Sequence, residues 1–431
     1  MTVTAARPGA ARSALWPALL PPSQHGQDDL CAVSARGTRV ALADGRTVLC
    51  GTSGLWNVNL GYGDPAVESA VVAALREASY LSLFRREHRY ARAAADALVE
   101  LCGPHWYRRV MFATSGGSAN DLAMKVARQY QAVAGRSRRR VVVGLQGSYH
   151  GLTFGAHALT GEALGQGLYG VDTRLVRHLP VNDVTALRGF LDRHADTVAA
   201  VVVEPVLGTG AVELSAEYVA ELVRLRDQHD VLLVADEVAT GFGRTGEAFA
   251  SDRWPARPDL LLVSKALTNG TAAASAVLIG DRVAGALTRA DATVVHAETQ
   301  AGTPMACAAA LAVIDRMGDL DLVGAGRAVA AALDEGLTEL SAQPWLAGVT
   351  GRGCFRGLTL RGPDGDVLAP GDVPAVVRHV LAAGAVVQPG PAGIQLVPAL
   401  VYTADEVTEL LSRVADGMAS FLGAAARGDA A

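Results

Sequence analysis

The sequence predicts an α/β protein: a doubly wound, mostly parallel central sheet in a large domain, followed by a smaller α+β domain. Two observations carry this. Between Val110 and Ile279, short apolar runs alternate with glycine-bearing turns and helical patterns, the order expected of parallel strands joined by crossover helices. Several runs, such as Val231-Leu-Leu-Val-Ala235 and Leu260-Leu-Leu-Val263, are apolar without alternation, as strands covered on both faces require.

The elements follow in order. An irregular opening segment reaches about Leu30, and Arg39 to Cys50 alternates around the turn Asp44-Gly45, which reads as a hairpin. A helix is expected from Asp64 to about Ala78, with Pro65 in its first turn. Strands are expected at Val110 to Ala113, Val141 to Gly144, Ala199 to Glu204, Val231 to Ala235, Leu260 to Val263 and Ala276 to Ile279. From Thr303 a long Ala/Leu helical stretch leads to strands at Leu358 to Leu360, Ala385 to Val387 and Ile394 to Val397, and to a closing helix from Ala404. Ala424 to Ala431 reads as disordered.

Composition narrows the function classes. With 431 residues, 50% of them apolar and 19% charged, the chain can bury a substantial core. Its longest apolar stretches, such as Val198 to Val203, fall far short of the roughly 18 residues that span a bilayer. The start, MTVTAARPGAARSALWP, lacks the charged and apolar regions of a signal peptide, so a cytoplasmic protein with no membrane partner is expected. Cys31, Cys50, Cys102, Cys307 and Cys354 are scattered and form no CxxC pair, which points to neither a disulfide framework nor a metal site. The net charge of −5 argues against nucleic acid as a partner, and Arg136 to Arg140, the one basic run, reads as a solvated turn before a strand.

Chemistry enters where apolar strands end in charge. The run from Val231 leads into Asp236, and the run from Leu260 leads through Ser264 into Lys265. Charges delivered from buried strands need partners, and one cofactor can serve both. A pyridinium nitrogen satisfies an aspartate and an aldehyde condenses with a lysine, which is the arrangement pyridoxal phosphate requires.

Ser115-Gly116-Gly117-Ser118-Ala119-Asn120 opens a helix after a strand. Such a terminus either receives a phosphate on its exposed amides or is simply capped. Tyr149, in Tyr149-His150-Gly151, either stacks on a flat heterocycle or packs as an ordinary tyrosine. Gly241 to Gly246 matches the GxGxxG dinucleotide fingerprint, but no helix pattern follows it, so nicotinamide binding is rejected.

These motifs in this order resemble the class III, or ornithine-aminotransferase-like, family of pyridoxal-phosphate enzymes. The most specific stretches are Glu204-Pro-Val-Leu-Gly-Thr-Gly210, Ala235-Asp-Glu-Val-Ala-Thr-Gly-Phe-Gly-Arg-Thr-Gly246, Ser264-Lys-Ala-Leu-Thr-Asn-Gly270 and Thr299-Gln-Ala-Gly-Thr-Pro-Met-Ala-Cys307. The resemblance implies fold type I, with a large cofactor-binding domain over residues 64–305 and a small domain over 306–431. Residues 1–63 would contribute to the small domain and to dimer contacts. It implies that Lys265 condenses with the cofactor's aldehyde and that Asp236 partners its ring nitrogen. The ring would lie between Tyr149 and Val238, and Gly116 and Gly117 would cradle the phosphate. Thr299 would reach the cofactor of a second subunit, which implies a homodimer with shared active sites. Trp56, Glu204 and Gln395 are the substrate-side candidates.

The chain also departs from the family pattern. Gln395 stands where many members carry an arginine that grips a carboxylate, so the resemblance implies a substrate without a carboxylate there, or one held by another arginine. Ala239 replaces a frequent glutamine, and Ser118 replaces a frequent glutamate. Leu15-Trp-Pro-Ala-Leu-Leu-Pro-Pro-Ser, Leu55-Trp-Asn-Val-Asn-Leu-Gly-Tyr-Gly63, Thr114 to Asn120 and His296-Ala-Glu-Thr-Gln-Ala-Gly302 further resemble the aminotransferases of daptide biosynthesis. That resemblance implies an acceptor that is the C-terminal ketone of a ribosomally made peptide. The alternatives are a small-molecule ω-amino-acid or diamine aminotransferase, an enzyme like glutamate-1-semialdehyde aminomutase, or a non-catalytic scaffold.

Overall fold

The structure, a computed structural model, describes residues 14–427. Residues 1–13, which hold most of the segment read as lacking a signal peptide, and residues 428–431, the end of the tail read as disordered, lie outside the described residues. Seven strands form the central sheet: β1 (Tyr107–Ala113), β2 (Val141–Leu145), β3 (Val176–Leu179), β4 (Val198–Val203), β5 (Leu232–Asp236), β6 (Leu260–Val263) and β7 (Ser275–Gly280). Their order is β1-β7-β6-β5-β4-β2-β3. β5 pairs in parallel with β4 and β6, and β2 with β3 and β4, whereas β7 runs against both β6 and β1. All six expected strands are present. β3 went unread because Arg177 and His178 interrupt its apolar pattern.

Every residue of β4, β5, β6 and β7 is buried, as unalternating apolar strands demand. Val202, Val234 and Leu262 pack on one face with Leu122, Ala123 and Val126 of the helix Gly116–Val133. Val201, Val203 and Leu233 pack on the other face with Leu187 and Leu191 of the helix Val184–His194 and Leu222 and Leu225 of the helix Ala216–His229. Each such leucine contributes roughly 1.5–3 kcal/mol by leaving water. Two packed faces make the sheet a rigid frame, and the carboxyl ends of its parallel strands are where a site can be built.

Two four-stranded sheets flank this frame. The expected hairpin, Arg39–Leu42 with Thr47–Cys50, is joined on its outer edge by Ala32–Arg36 and on the other by Ala385–Val386 in parallel. The C-terminal strand at Ala385 therefore completes an N-terminal sheet. Leu346–Arg352, Phe355–Leu360, Gly393–Leu396 and Gln388–Gly390 form the second sheet, in that order.

The helix Pro65–Glu77 is capped by the Asp64 side chain, as its sequence indicates. The Ala/Leu stretch after Thr303 divides into Pro304–Asp319 and Leu322–Leu340, because Asp321 turns left-handed (φ 42°) and caps the second helix at Gly324. The closing helix Ala404–Ala426 corrects the expectation of disorder from Ala424. Ala424 is buried, so the apolar face of that helix continues past the predicted end.

In the basic run, Arg136 bonds Gln131 and Asp230, and Arg139 donates to the carbonyls of His229 and Asp230, which makes this a hydrogen-bonded turn. The five cysteines are all free thiols. No helix among the described residues is long and apolar enough to cross a membrane.

Candidate active site

The parallel register sets Asp236, at the carboxyl end of β5, beside Leu262 of β6, and Lys265 follows two residues after the end of β6. Both side chains line one cavity of about 800 Å³, together with Trp56, Gly116, Gly117, Tyr149, Glu204, Val238 and Gln395. Nine of the ten residues singled out from the sequence thus converge. Thr299, the tenth, is exposed and outside this cavity, with its carbonyl held by the Tyr80 hydroxyl at 2.9 Å.

Asp236 is 3% exposed and fully engaged on its inner side. Its Oδ2 accepts from Asn120 Nδ2 at 2.7 Å and from His150 Nδ1 at 2.8 Å, and its Oδ1 accepts from the Val238 amide at 3.1 Å. Burial opposes a charge on His150, but the Asp236 carboxylate outweighs it and raises the His150 pKa above its ordinary value. Asn120 and His150 belong to the Ser115–Asn120 and Tyr149–Gly151 motifs, but the sequence alone gives them no role. The available signal was a pair of polar residues adjoining glycines, where a fold with buried strands needs second partners for its aspartate. Asn120 Oδ1 and His150 Nε2 are buried and have no partner within the described residues.

Lys265 takes a left-handed backbone (φ 44°), a strained state for a residue with a side chain. Burial lowers its pKa, against the pull of Asp236 and Glu204, so the amine is more readily neutral than a surface lysine. Its Nζ lies 4.5 Å from the centroid of the Trp56 ring. Trp56, also left-handed (φ 63°), packs against Phe355 with centroids 4.9 Å apart. It is therefore both a cavity wall and a packed aromatic.

Ser115 caps the helix Gly116–Val133 by accepting from the Ser118 amide at 3.1 Å, and the amides of Gly116 and Gly117 find no acceptor within the described residues. Two free amides and the helix dipole suit an anion. A side chain is excluded here by space. A Cβ on Gly116 would lie 3.0 Å from Val238 Cγ1, and one on Gly151 (φ 117°) would lie 2.5 Å from Gly117 Cα. The rejected fingerprint Gly241 to Gly246 is a run of turns that opens no helix. Its Arg244 is fully buried and bonds Ser53 Oγ at 3.2 Å and the Cys354 carbonyl at 3.3 Å, as well as Asn59 and Pro398, so it pins the segments that carry Trp56 and Gln395.

Glu204 is 4% exposed and accepts one backbone bond on each oxygen, from Tyr149 and from Gly208, both at 2.9 Å. Burial pushes its pKa up to about 7. Gln395 donates from Nε2 to the Gly208 carbonyl at 2.7 Å. Lys265 is the only lysine or arginine among the described residues that line the cavity.

A buried lysine and aspartate from adjacent parallel strands, beside a glycine-opened helix end, match what a pyridoxal-phosphate enzyme of fold type I needs. The spare amides and the side-chain-free space at Gly116 and Gly117 fit its phosphate. The aminotransferase class-III profile matches residues 22–418. An acetylornithine aminotransferase of Mycolicibacterium smegmatis is 33% identical over 91% of this chain and 98% of its own length. An omega-aminotransferase of Caulobacter vibrioides is 31% identical over 72% of this chain and 75% of its own. Among solved structures, an amine transaminase from an uncultivated Pseudomonas species, in its PLP-bound form, superposes with a TM-score of 0.89 at 29% identity, over 95% of this chain and 99% of that one. The chain belongs to the aminotransferase class-III family, whose members are pyridoxal-phosphate-dependent aminotransferases.

Proposed function

We propose that this enzyme moves an amino group from an amine donor to a ketone that carries no carboxylate near its reacting carbon. The observation that carries this is Gln395: it stands in place of a guanidinium and gives one N–H of its amide to the Gly208 carbonyl, and no arginine lines the cavity among the described residues. A carboxylate would also meet Glu204 and Glu162 on the same lining without a guanidinium to hold it.

Bound pyridoxal phosphate supplies an aldehyde that condenses with amines and a ring that accepts electrons from the carbon beside the nitrogen. Asp236 keeps a proton at the ring nitrogen, with its carboxylate oriented by Asn120, His150 and the Val238 amide. Lys265 Nζ, whose pKa burial lowers, would take the proton from the substrate carbon that bears the amine and return it in the reverse half-reaction. Gly116 and Gly117 hold the phosphate by their amides. Tyr149 and Val238, on the cavity wall, would confine the ring, and Trp56 would shape the acceptor side.

The acceptor we favour is the C-terminal methyl ketone of a ribosomally made peptide of the daptide type, a group with no carboxylate. The sequence motifs that resemble that family support this choice, as do the apolar residues Leu19, Leu55, Leu152 and Leu164 that line the cavity. A homodimer would complete the site: the resemblance assigns Thr299 to the cofactor of a second subunit, and Thr299 lies exposed and outside its own chain's cavity.

The enzyme, a peptide ending in a methyl ketone and an amine donor are incubated together and followed by mass spectrometry. Conversion of the ketone to an amine is expected. Turnover of small ω-amino acids with an unchanged peptide mass would replace the peptide by a small ketone or aldehyde.

A further inference from the structure

We infer that Glu204 is a recognition site for an ammonium group, and that the amine donor is a diamine whose second, unreacting nitrogen binds there. This rests on the aminotransferase reading and names its donor. Glu204 is the most deeply placed carboxylate of the cavity apart from Asp236, and it differs from Asp236 in its partners. Asp236 has two side-chain donors and a backbone amide, whereas Glu204 has two backbone amides and no side-chain partner. Each of its oxygens keeps a free lone pair.

A carboxylate 4% exposed, with no cation bonded to it, is costly to hold ionised. The fold keeps it nevertheless on the wall of a cavity whose one lysine is Lys265. The neighbouring amide that could have turned to it, Gln395 Nε2, donates to the Gly208 carbonyl instead. Gly208 thus donates to Glu204 and accepts from Gln395, which locks both side chains and leaves the carboxylate facing the cavity. A Cβ on Gly208 would lie 3.1 Å from Glu204 Oε2 and 3.2 Å from the Trp56 ring, so carboxylate and aromatic share one wall. An ammonium satisfies both: it takes the free lone pairs and lies against an aromatic face.

The groups that act on Glu204 are His150, Asp236 and Lys265 from the cavity floor and Tyr149 from its rim, and Glu162 is the further carboxylate on the same lining. With its pKa near 7, Glu204 binds a cation above that pH and loses it below, as the carboxyl protonates. The common effects of pH on the reacting amine and on Lys265 act on a diamine and a monoamine alike, so their ratio isolates Glu204.

The test titrates the pyridoxal-phosphate-loaded enzyme with 1,5-diaminopentane and with pentylamine by calorimetry, and measures turnover of each with a ketone acceptor. The diamine is expected to bind about tenfold or more tightly at pH 8, the scale of one hydrogen bond to a charged group, and about tenfold less selectively at pH 6. Glu204→Gln brings the two affinities within about twofold, whereas Glu204→Asp, which keeps the charge, retains part of the preference. Cofactor absorbance of the variants confirms that they fold. Equal affinities in the unaltered enzyme overturn the inference even when both amines turn over. A diamine preference without turnover of the diamine leaves the ammonium site standing and overturns the diamine as donor.

Discussion

His150 Nδ1 donates to Asp236 Oδ2 at 2.8 Å in a place where neither side chain is more than 3% exposed. The aspartate thereby meets the cavity with its orientation fixed from behind, and an imidazole raised in pKa stands as its immediate charge partner. Loss of one hydrogen bond to a buried charge costs about 1.5–3 kcal/mol. His150→Gln is therefore expected to lower kcat roughly 10- to 100-fold and to weaken the cofactor's hold, read by steady-state kinetics and a pyridoxal-phosphate titration. Unchanged kcat and affinity would show that Asp236 needs no such support.

Gly151→Ala is expected to damage the phosphate turn from outside it. The new Cβ would fall 2.5 Å from Gly117 Cα, on a backbone with φ 117°. Overpacking and the disfavoured backbone together cost about 2–4 kcal/mol, read as a lower urea midpoint of the apoprotein, and cofactor affinity falls with it. A variant of full stability and affinity would mean that the two glycines do not meet.

Much of this was legible in the sequence because it lies in residues whose types conflict with their surroundings. Asp236 and Lys265 stood out as charges ending apolar strands, and the glycine pair stood out as a helix start without a side chain. What was not legible depends on contacts between distant segments. The pairing of Ala385–Val386 with the N-terminal hairpin leaves no local trace, since a two-residue strand has no period. The partners Asn120 and His150 are ordinary polar residues until folding sets them against Asp236. Arg244 was visible only inside a misleading fingerprint, and its role as a buried pin comes from four acceptors supplied by three other segments.

Glu204 also predicts a pH dependence of stability. Its pKa rises from 4.5 in an unfolded chain to about 7 in the fold, so between those values the folded protein holds a proton that the unfolded chain releases. Stability is full below pH 4.5 and declines as pH rises toward 7, by about 3 kcal/mol at most. Urea midpoints of the apoprotein at pH 5 and pH 8 should differ more for the unaltered chain than for Glu204→Gln. An identical difference in both would mean that Glu204 is already ionised at pH 5.

Gln395→Arg is expected to reverse the acceptor preference. A guanidinium at this position restores a carboxylate clamp beside Glu204, so an α-keto acid should gain at least about tenfold in kcat/KM relative to a methyl ketone, the scale of one charge-assisted bond. Competition between the two acceptors measures the ratio directly. A ratio unmoved by the arginine would place acceptor selection elsewhere in the cavity.

Lys265 and Asp236 are proposed to serve one amino-transfer site. Its most direct test follows nitrogen from a 15N-labelled amine into a carboxylate-free ketone, using the pyridoxal-phosphate-loaded enzyme and its Lys265→Ala variant, with mass spectrometry of the product. A 15N-labelled amine is expected from the unaltered enzyme, with a loss of at least about 1000-fold in its rate for the variant. Labelled product formed at equal rates by both proteins, or no label transferred by the unaltered enzyme to any ketone, would contradict it.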